Sequence, residues 1–255
     1  IKITSGSSPK VAKKIDNIYK SVIKAGTFPV SSIKIAEAAK VIENTQRDIN
    51  IALMNELSII FNKMNLNMRE ILDAAESKWN FMKFTPGLVG GHCIGVDPYY
   101  LSYKAKKIGI NPKIILSGRK INDEYYKYIC NEIEKYLKLK KIKKKRIKIL
   151  ILGASFKENC KDIRNSQIIK IFALLKKKYN VHIFDPVISS KEILKKYKIK
   201  LIKKIKYKYY DYVLIAVGHK VFKTKYINTI KNSVNKNGAI NDLKFLFGNK
   251  YANKT

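Results

Sequence analysis

From Ser31 to Met64 apolar residues fall every three or four positions, in SSIKIAEAAKVIENTQRDINIALMNELSIIFNKM. That period predicts one amphipathic helix of roughly eight turns. NMREILDAAES, DPYYLSYKAKKIG and SGRKINDEYYKYICNEIEKYL carry the same period and predict three more helices, the last ending near Leu139. From Lys140 the pattern changes. RIKILILGASF reads as a buried strand running into a glycine turn, with NSQIIKIFALLKKKYN as the helix behind it. VHIFDP is a second strand, YDYVLIAVGH a third, apolar nearly throughout as a strand covered on both faces would be, and GAINDL a short last one. At the start, IKITSGSSPKVAKKIDNIYKSVI reads as a strand end, an N-cap at Ser8, Pro9 in the first turn, and a helix. AGTFPVSS, residues 25–32, reads as a linker that sets a boundary before the long helix. The expected fold class is α/β: a helical block over 27–139, then a Rossmann-like parallel-sheet domain over 140–255, preceded by a short unit at 1–26.

Length and composition suit such a chain, with 255 residues and 46% hydrophobic positions leaving a sizeable core available. The formal charge of +34 changes the picture, because a balance this basic ordinarily points to nucleic acid or an anionic membrane. Two observations argue against a specific nucleic-acid partner. Of the 53 basic residues only Arg47, Arg69, Arg119, Arg146 and Arg164 are arginines, whereas sequence readers lean on arginine forks. The lysines are also spread through every segment, with one dense run at 138–148, a pattern that an AT-rich coding sequence produces at tolerant surface sites. Weak adhesion to polyanions is expected on charge alone. Cys93, Cys130 and Cys160 lie far apart and form no CxxC, so neither a disulfide framework nor a metal site is expected, and a reducing cytoplasm fits. No run reaches the roughly 18 apolar residues of a membrane span.

Candidate chemistry concentrates in PGLVGGHCIGVDPYYL, residues 86–101, where Cys93 stands among Gly87, Gly90, Gly91 and Gly95 with Asp97 four residues on. Glycines here remove side chains where a ligand must come close and allow the backbone of a tight loop. Cys93 is then a reachable nucleophile, with His92 and Lys83 adding positive potential and Asp97 placed to orient a water or a base. The alternative is a glycine-rich turn around a buried structural cysteine. On the long helix Lys40 and Asn44 share a face at i, i+4, with Arg47 and Asp48 a turn further on; taken alone, this is also the pattern of a solvated face. In the parallel-sheet region Gly153, Phe156, Lys157 and Arg164 fall beyond the carboxyl end of a strand, where ligands of such sheets bind, which makes Lys157 and Arg164 candidate phosphate contacts. His182 and His219, beside apolar strands, read as core or strand-end residues.

Three ordered segments, AEAAKVIEN, KWNFMKFTPGLVGGHCIGVDP and GASFKENCKDIRNSQ, resemble the UDP-glucose/GDP-mannose dehydrogenase family over essentially the whole chain. The form GGHCIGVDPYYL is most similar to the branch acting on UDP-N-acetylhexosamines for capsule or O-antigen polysaccharides. The resemblance implies an NAD-dependent cytoplasmic enzyme that oxidises the sugar C6 alcohol to the uronate in two hydride transfers, through a Cys93 thiohemiacetal and thioester. It implies that Lys40, Asn44 and Asp97 join Cys93 in catalysis, that Lys40, Asn44, Phe84, Gly87, Gly90, Gly91, Phe156 and Lys157 bind the UDP-sugar, and that Cys93 and Arg164 meet NAD. It also implies a homodimer through the long helix, although a helix buried within one chain would read the same way. No GxGxxG occurs, so 1–26 is expected to end a dinucleotide-binding domain preceding this chain, which would hold the family's glutamate base and leave these residues alone inactive. Two other classes remain open at this point: a non-catalytic domain that binds UDP-sugar or dimerises, and a basic nucleic-acid binder.

Overall fold

The computed structural model describes residues 1–140 and 147–247. Most of the lysine run at 138–148 and the last eight residues lie outside the described residues. The chain opens with β1 (Lys2–Thr4), α1 (Pro9–Val22) and β2 (Thr27–Pro29), and the two strands pair in parallel. Ser8 caps α1 through its side chain, with Pro9 at the first position, as the sequence indicates. The stretch at 25–32 differs from the expected linker: Thr27–Pro29 is a strand, because the helix crossover returns it alongside Lys2–Thr4. Ser32 then caps α2 by accepting the Ile35 N–H at 3.3 Å.

The helical block is built from α2 (Ile33–Lys63), α3 (Met68–Glu76), α4 (Asp97–Lys107) and α5 (Lys113–Leu139), with an irregular segment over 77–96. Helix α5 begins four residues before the SGRK stretch. Helices α2 and α5 run in parallel, and polar side chains join them in register. Asp48 meets Arg119 and Asn122, Asn55 meets Asn122, Ser58 meets Tyr125, and Asn62 meets Tyr128 and Glu132.

The rest is a four-stranded parallel sheet of β3 (Lys148–Leu152), β4 (Asn180–Phe184), β5 (Tyr210–Ile215) and β6 (Val234–Asp242), ordered β4-β3-β5-β6. Helix α6 (Gln167–Lys176) is the expected one. The short helices α7 (Ser190–Tyr197), α8 (Lys220–Thr224) and α9 (Ile227–Lys231) carry too few turns for a helical period to show in the sequence. Side chains alternate across each strand. Ile149, Ile151, Val181, Ile183, Tyr212 and Leu214 pack one face against α5, α6 and α7. Leu150, Leu152, Phe184, Val213 and Ile215 pack the other against Phe222 of α8 and Ile230 of α9. Since the C-terminal half of α5 supplies Ile129, Ile133 and Leu137 to that first layer, one helix belongs to both the polar seam and the sheet core. Among the described residues no helix is long and apolar enough to cross a membrane.

Candidate active site

Cys93 sits in a turn that leads directly into α4. Its carbonyl accepts the N–H groups of Val96 at 2.9 Å and Asp97 at 2.8 Å, so the cysteine turn satisfies the first N–H of that helix, and Pro98 enters its first turn, where no N–H is needed. The thiol is half-buried, and Asp97 stands at the first position of the helix. From α2, Asn44 reaches Asp97 across 53 residues of sequence, its Nδ2 donating to Oδ2 at 2.6 Å, and is itself buried. Asp97 is therefore held by Asn44, one helical turn beyond Lys40 on α2. Lys40 instead donates to Glu43 at 2.7 Å on an exposed turn, and Arg47 binds the other Glu43 oxygen, also at 2.7 Å. The Lys40 hydrogen bond is the chief reason the Glu43 carboxyl lies below its usual range.

The segment before Cys93 is fixed from the helical side. Asn55, fully buried, donates to the Gly87 carbonyl at 3.0 Å and accepts the Gly87 N–H at 2.8 Å. Phe84 packs beside Met54, Met68 and Leu72. Behind the loop, Arg119 is buried against Asp48 at 2.6 Å and Asp123 at 2.5 Å. Burial pulls the guanidinium down, the two carboxylates outweigh it, and its pKa lies above the usual value. None of Asn55, Arg119 and Asn122 stands out in the sequence, because single polar residues on helices are read as solvent-facing.

The sheet side supplies the opposite wall. A side chain at Gly90 or Gly91 would meet protein, while the two glycines themselves line an open cleft. A side chain at Gly90 would lie 2.7 Å from the Asn165 carbonyl, and one at Gly91, where φ is +85°, would lie 2.7 Å from the Phe156 ring. The contact continues through the backbone: the Gly91 N–H donates to the Arg164 carbonyl at 3.2 Å, and Asn165 donates to the Gly91 carbonyl at 3.0 Å. Arg164 grips Asp162 with Nε and Nη2 and lies 3.1 Å from His92 Nδ1, which brings it beside the Cys93 loop. Its hydrogen bonds to Asp162 are the chief cause of its raised pKa, and they hold the Asp162 carboxyl at about 2.

Lys157 is exposed and lies over the Phe156 ring, 5.4 Å from its centre. It shares a cleft with Lys244, which the sequence reading missed because one lysine among so many carries no local signal. Lys244 lies 3.3 Å from Glu158, and its ammonium would be 3.2 Å from a side chain placed at Gly87. Burial raises the Glu158 carboxyl, but the Lys244 charge and a backbone hydrogen bond outweigh that and lower it. The cleft is thus cationic and lies against Leu88 and Gly90, which suits a phosphate-bearing ligand. Among the described residues no group of three or more His, Cys, Asp or Glu side chains could hold a metal.

His182 lies away from this site, stacked on Tyr209 with Nδ1 3.2 Å from the Tyr210 hydroxyl. Its pKa is lowered, by burial first and then by Lys206 and Lys148.

The same region matches known proteins. A model of the UDP-glucose/GDP-mannose dehydrogenase family, central domain, matches residues 34–124, and one of that family's UDP binding domain matches 150–249. UDP-N-acetyl-D-glucosamine 6-dehydrogenases of Salmonella typhi and Pseudomonas aeruginosa are 49% identical over 246 residues and 46% over 247, each match covering 96% of this chain and 58% of the relative. Protein CapL of Staphylococcus aureus is 47% identical over 247 residues, 95% of this chain and 57% of its own length. The chain therefore spans somewhat more than half the length of these curated relatives. Among solved structures, a UDP-D-ManNAc dehydrogenase from Pyrococcus horikoshii superposes with a TM-score of 0.78 at 26% identity, covering 99% of this chain and 57% of that one. A UDP-glucose dehydrogenase from Pyrobaculum islandicum, 16% identical, shares the fold with a TM-score of 0.79 over 98% of this chain and 58% of that one.

Proposed function

The chain belongs to the UDP-glucose/GDP-mannose dehydrogenase family, and from that premise we propose that its residues act in an NAD-dependent UDP-N-acetylhexosamine 6-dehydrogenase of cytoplasmic surface-polysaccharide synthesis. The observation that carries this reading is the Asn44–Asp97 hydrogen bond, which ties the helix candidate to the helix that the Cys93 turn leads into. The relatives named as UDP-N-acetyl-D-glucosamine 6-dehydrogenases favour an N-acetylhexosamine as the sugar.

In this mechanism the C6 alcohol first loses a hydride from carbon and a proton from oxygen to give the aldehyde; the Cys93 thiolate attacks that aldehyde, a carbon–sulfur bond forms, and the carbonyl electron pair moves to oxygen, which takes up a proton. The thiohemiacetal carbon then gives up a hydride while its hydroxyl releases the proton, and the carbon becomes that of a thioester. Water attacks it, the carbon–sulfur bond breaks, and the carboxylate leaves as the thiol is restored. NAD, when bound, accepts the hydride released in each of the two oxidations. Asn44 and Lys40 donate to the oxygen where charge develops, Lys40 by turning away from Glu43, and such a donor is worth roughly 3 kcal/mol. Asp97 orients Asn44. Phe84, Phe156 and the backbone of Gly87, Gly90 and Gly91 shape the substrate cleft, while Lys157 and Lys244 hold the diphosphate. Arg164, more than half exposed beside the Cys93 loop, has the planar fork that suits a dinucleotide phosphate.

The test is Cys93→Ser in the active enzyme, assayed with NAD against a panel of UDP-sugars. NADH formation should stop while UDP-sugar binding persists. Near-normal turnover would remove the nucleophile, and a preference for UDP-glucose would remove the N-acetylhexosamine.

The homodimer has its own support. Ile35, Ile42, Leu53 and Ile60 are all exposed on α2, and their spacing of seven, eleven and seven residues places them on one helix face. Leu53→Glu should convert a dimer to a monomer in sedimentation; a variant that sediments like the parent would place any interface elsewhere.

A further inference from the structure

His219 is fully buried just beyond β5, and nothing in the proposed mechanism uses it. Its two ring nitrogens are both engaged. The Asn159 backbone N–H donates to Nδ1 at 2.9 Å, so Nδ1 carries no proton and the proton resides on Nε2. Nε2 faces Asp185 Oδ2 at 3.1 Å and Ser155 Oγ at 3.3 Å. Asp185 directly follows β4 and is itself fixed, taking the N–H groups of Ala154 at 2.7 Å and Val187 at 2.8 Å. One imidazole therefore bridges the carboxyl ends of β3, β4 and β5. Ser155 in turn donates its hydroxyl to the Lys157 carbonyl at 2.8 Å, and the Asn159 side chain accepts the Lys220 N–H at 2.9 Å. The bonds to Ser155 and Asn159 fall on the loop that carries Phe156 and Lys157, on either side of the lysine.

We propose that His219 is a positioning residue for Lys157: its Nδ1 holds the Asn159 backbone and thereby sets the loop that presents the lysine to a nucleoside diphosphate. This rests on the reading of Lys157 as a diphosphate contact. The residue beneath is rigid because Asp185 fixes Nε2, so Nδ1 points at one place. The histidine thus has two separable duties, one toward the sheet through Nε2 and one toward the loop through Nδ1.

Two substitutions separate them. His219→Asn keeps an acceptor near the position of Nδ1 and loses the reach to Asp185, whereas His219→Gln keeps a group near Nε2 and loses the acceptor for Asn159. Titration of UDP into the 255-residue chain by calorimetry, with the thermal midpoint of each variant, gives the readout. His219→Gln should weaken UDP binding roughly tenfold and His219→Asn by less than about threefold, the difference of one hydrogen bond, with both midpoints lowered alike. Ser155→Ala, a smaller change that releases the Lys157 carbonyl, should weaken UDP binding about threefold and serves if a histidine variant does not fold. Equal weakening by both histidine variants, or unchanged binding in Ser155→Ala, overturns the positioning role and leaves the substrate reading intact. Failure of the unaltered chain to bind UDP overturns the substrate reading, and this inference with it.

Discussion

The α2–α5 seam and the β-sheet core are both buried, yet they are built from opposite chemistry. Asp48, Asn55, Ser58, Arg119, Asn122 and Tyr125 make the first. Ile149, Leu150, Ile151, Leu152, Ile183, Val213 and Leu214 make the second. An apolar layer rewards area removed from water and is indifferent to small shifts, whereas each hydrogen bond of a polar seam is satisfied at one register only. The seam lies directly beneath the Cys93 loop and holds it through Asn55 and Gly87. The region that places the reacting group in the proposed function is therefore fixed by directional bonds, and the region that supports it is fixed by packing. The seam is also not optimised for stability: among the described residues Asp48 Oδ2 and Arg119 Nε have no hydrogen-bond partner.

The sharpest way to break this comparison is Arg119→Met, which keeps the volume and strands Asp48 as an unpaired buried charge. It should cost about 3–5 kcal/mol in a urea unfolding curve. A loss below about 1 kcal/mol would show that the seam behaves like ordinary packing. Asn55→Leu comes next, leaving the Gly87 N–H and carbonyl without their partner at a cost of about 1–3 kcal/mol. Hydrogen exchange should then quicken in residues 86–96 while the sheet stays protected; uniform quickening would mean that the two regions unfold as one. The smallest effect belongs to the sheet, where Ile151→Val removes one methylene from a fully buried position and should cost about 0.5–1.5 kcal/mol with no change in loop exchange. A larger loss there than in Asn55→Leu would reverse the comparison.

How much of this was legible in the sequence follows the same division. Strands β3, β4 and β5 and helix α6 announced themselves as apolar runs and a helical period, because burial on both faces leaves few polar residues to blur the signal. Helices α1 and α2 were readable as helices, and the α1 cap at Ser8 fell where the residue type indicated. The polar seam was not readable. Asp48 and Asn55 have the look of a solvent-facing surface until α5 is brought alongside, and nothing in a single sequence says that Arg119, 71 residues away, will meet Asp48.

The site divides in the same way. Cys93 and its glycines, and the Lys157–Arg164 segment, were marked by local composition, because a tight loop and a basic loop at a strand end each bring particular residue types close together. What the glycines are for was decided by the fold, since Phe156 and Asn165 occupy the space beside Gly90 and Gly91. The partner of Asp97 was likewise settled in three dimensions, where helix rotation brings Asn44 to it and leaves Lys40 with Glu43. Lys244 carried no sequence mark among so many lysines, whereas His219 is the buried strand-end histidine that its apolar strand indicated. Sequence by itself determined the elements, their order and the two segments rich in reactive residues, since those depend on neighbours within a few turns of chain. Tertiary structure alone decided which of those residues face one another, because hydrogen bonds across 31 to 74 residues depend on how helices and strands pack and not on what lies beside each residue in the chain.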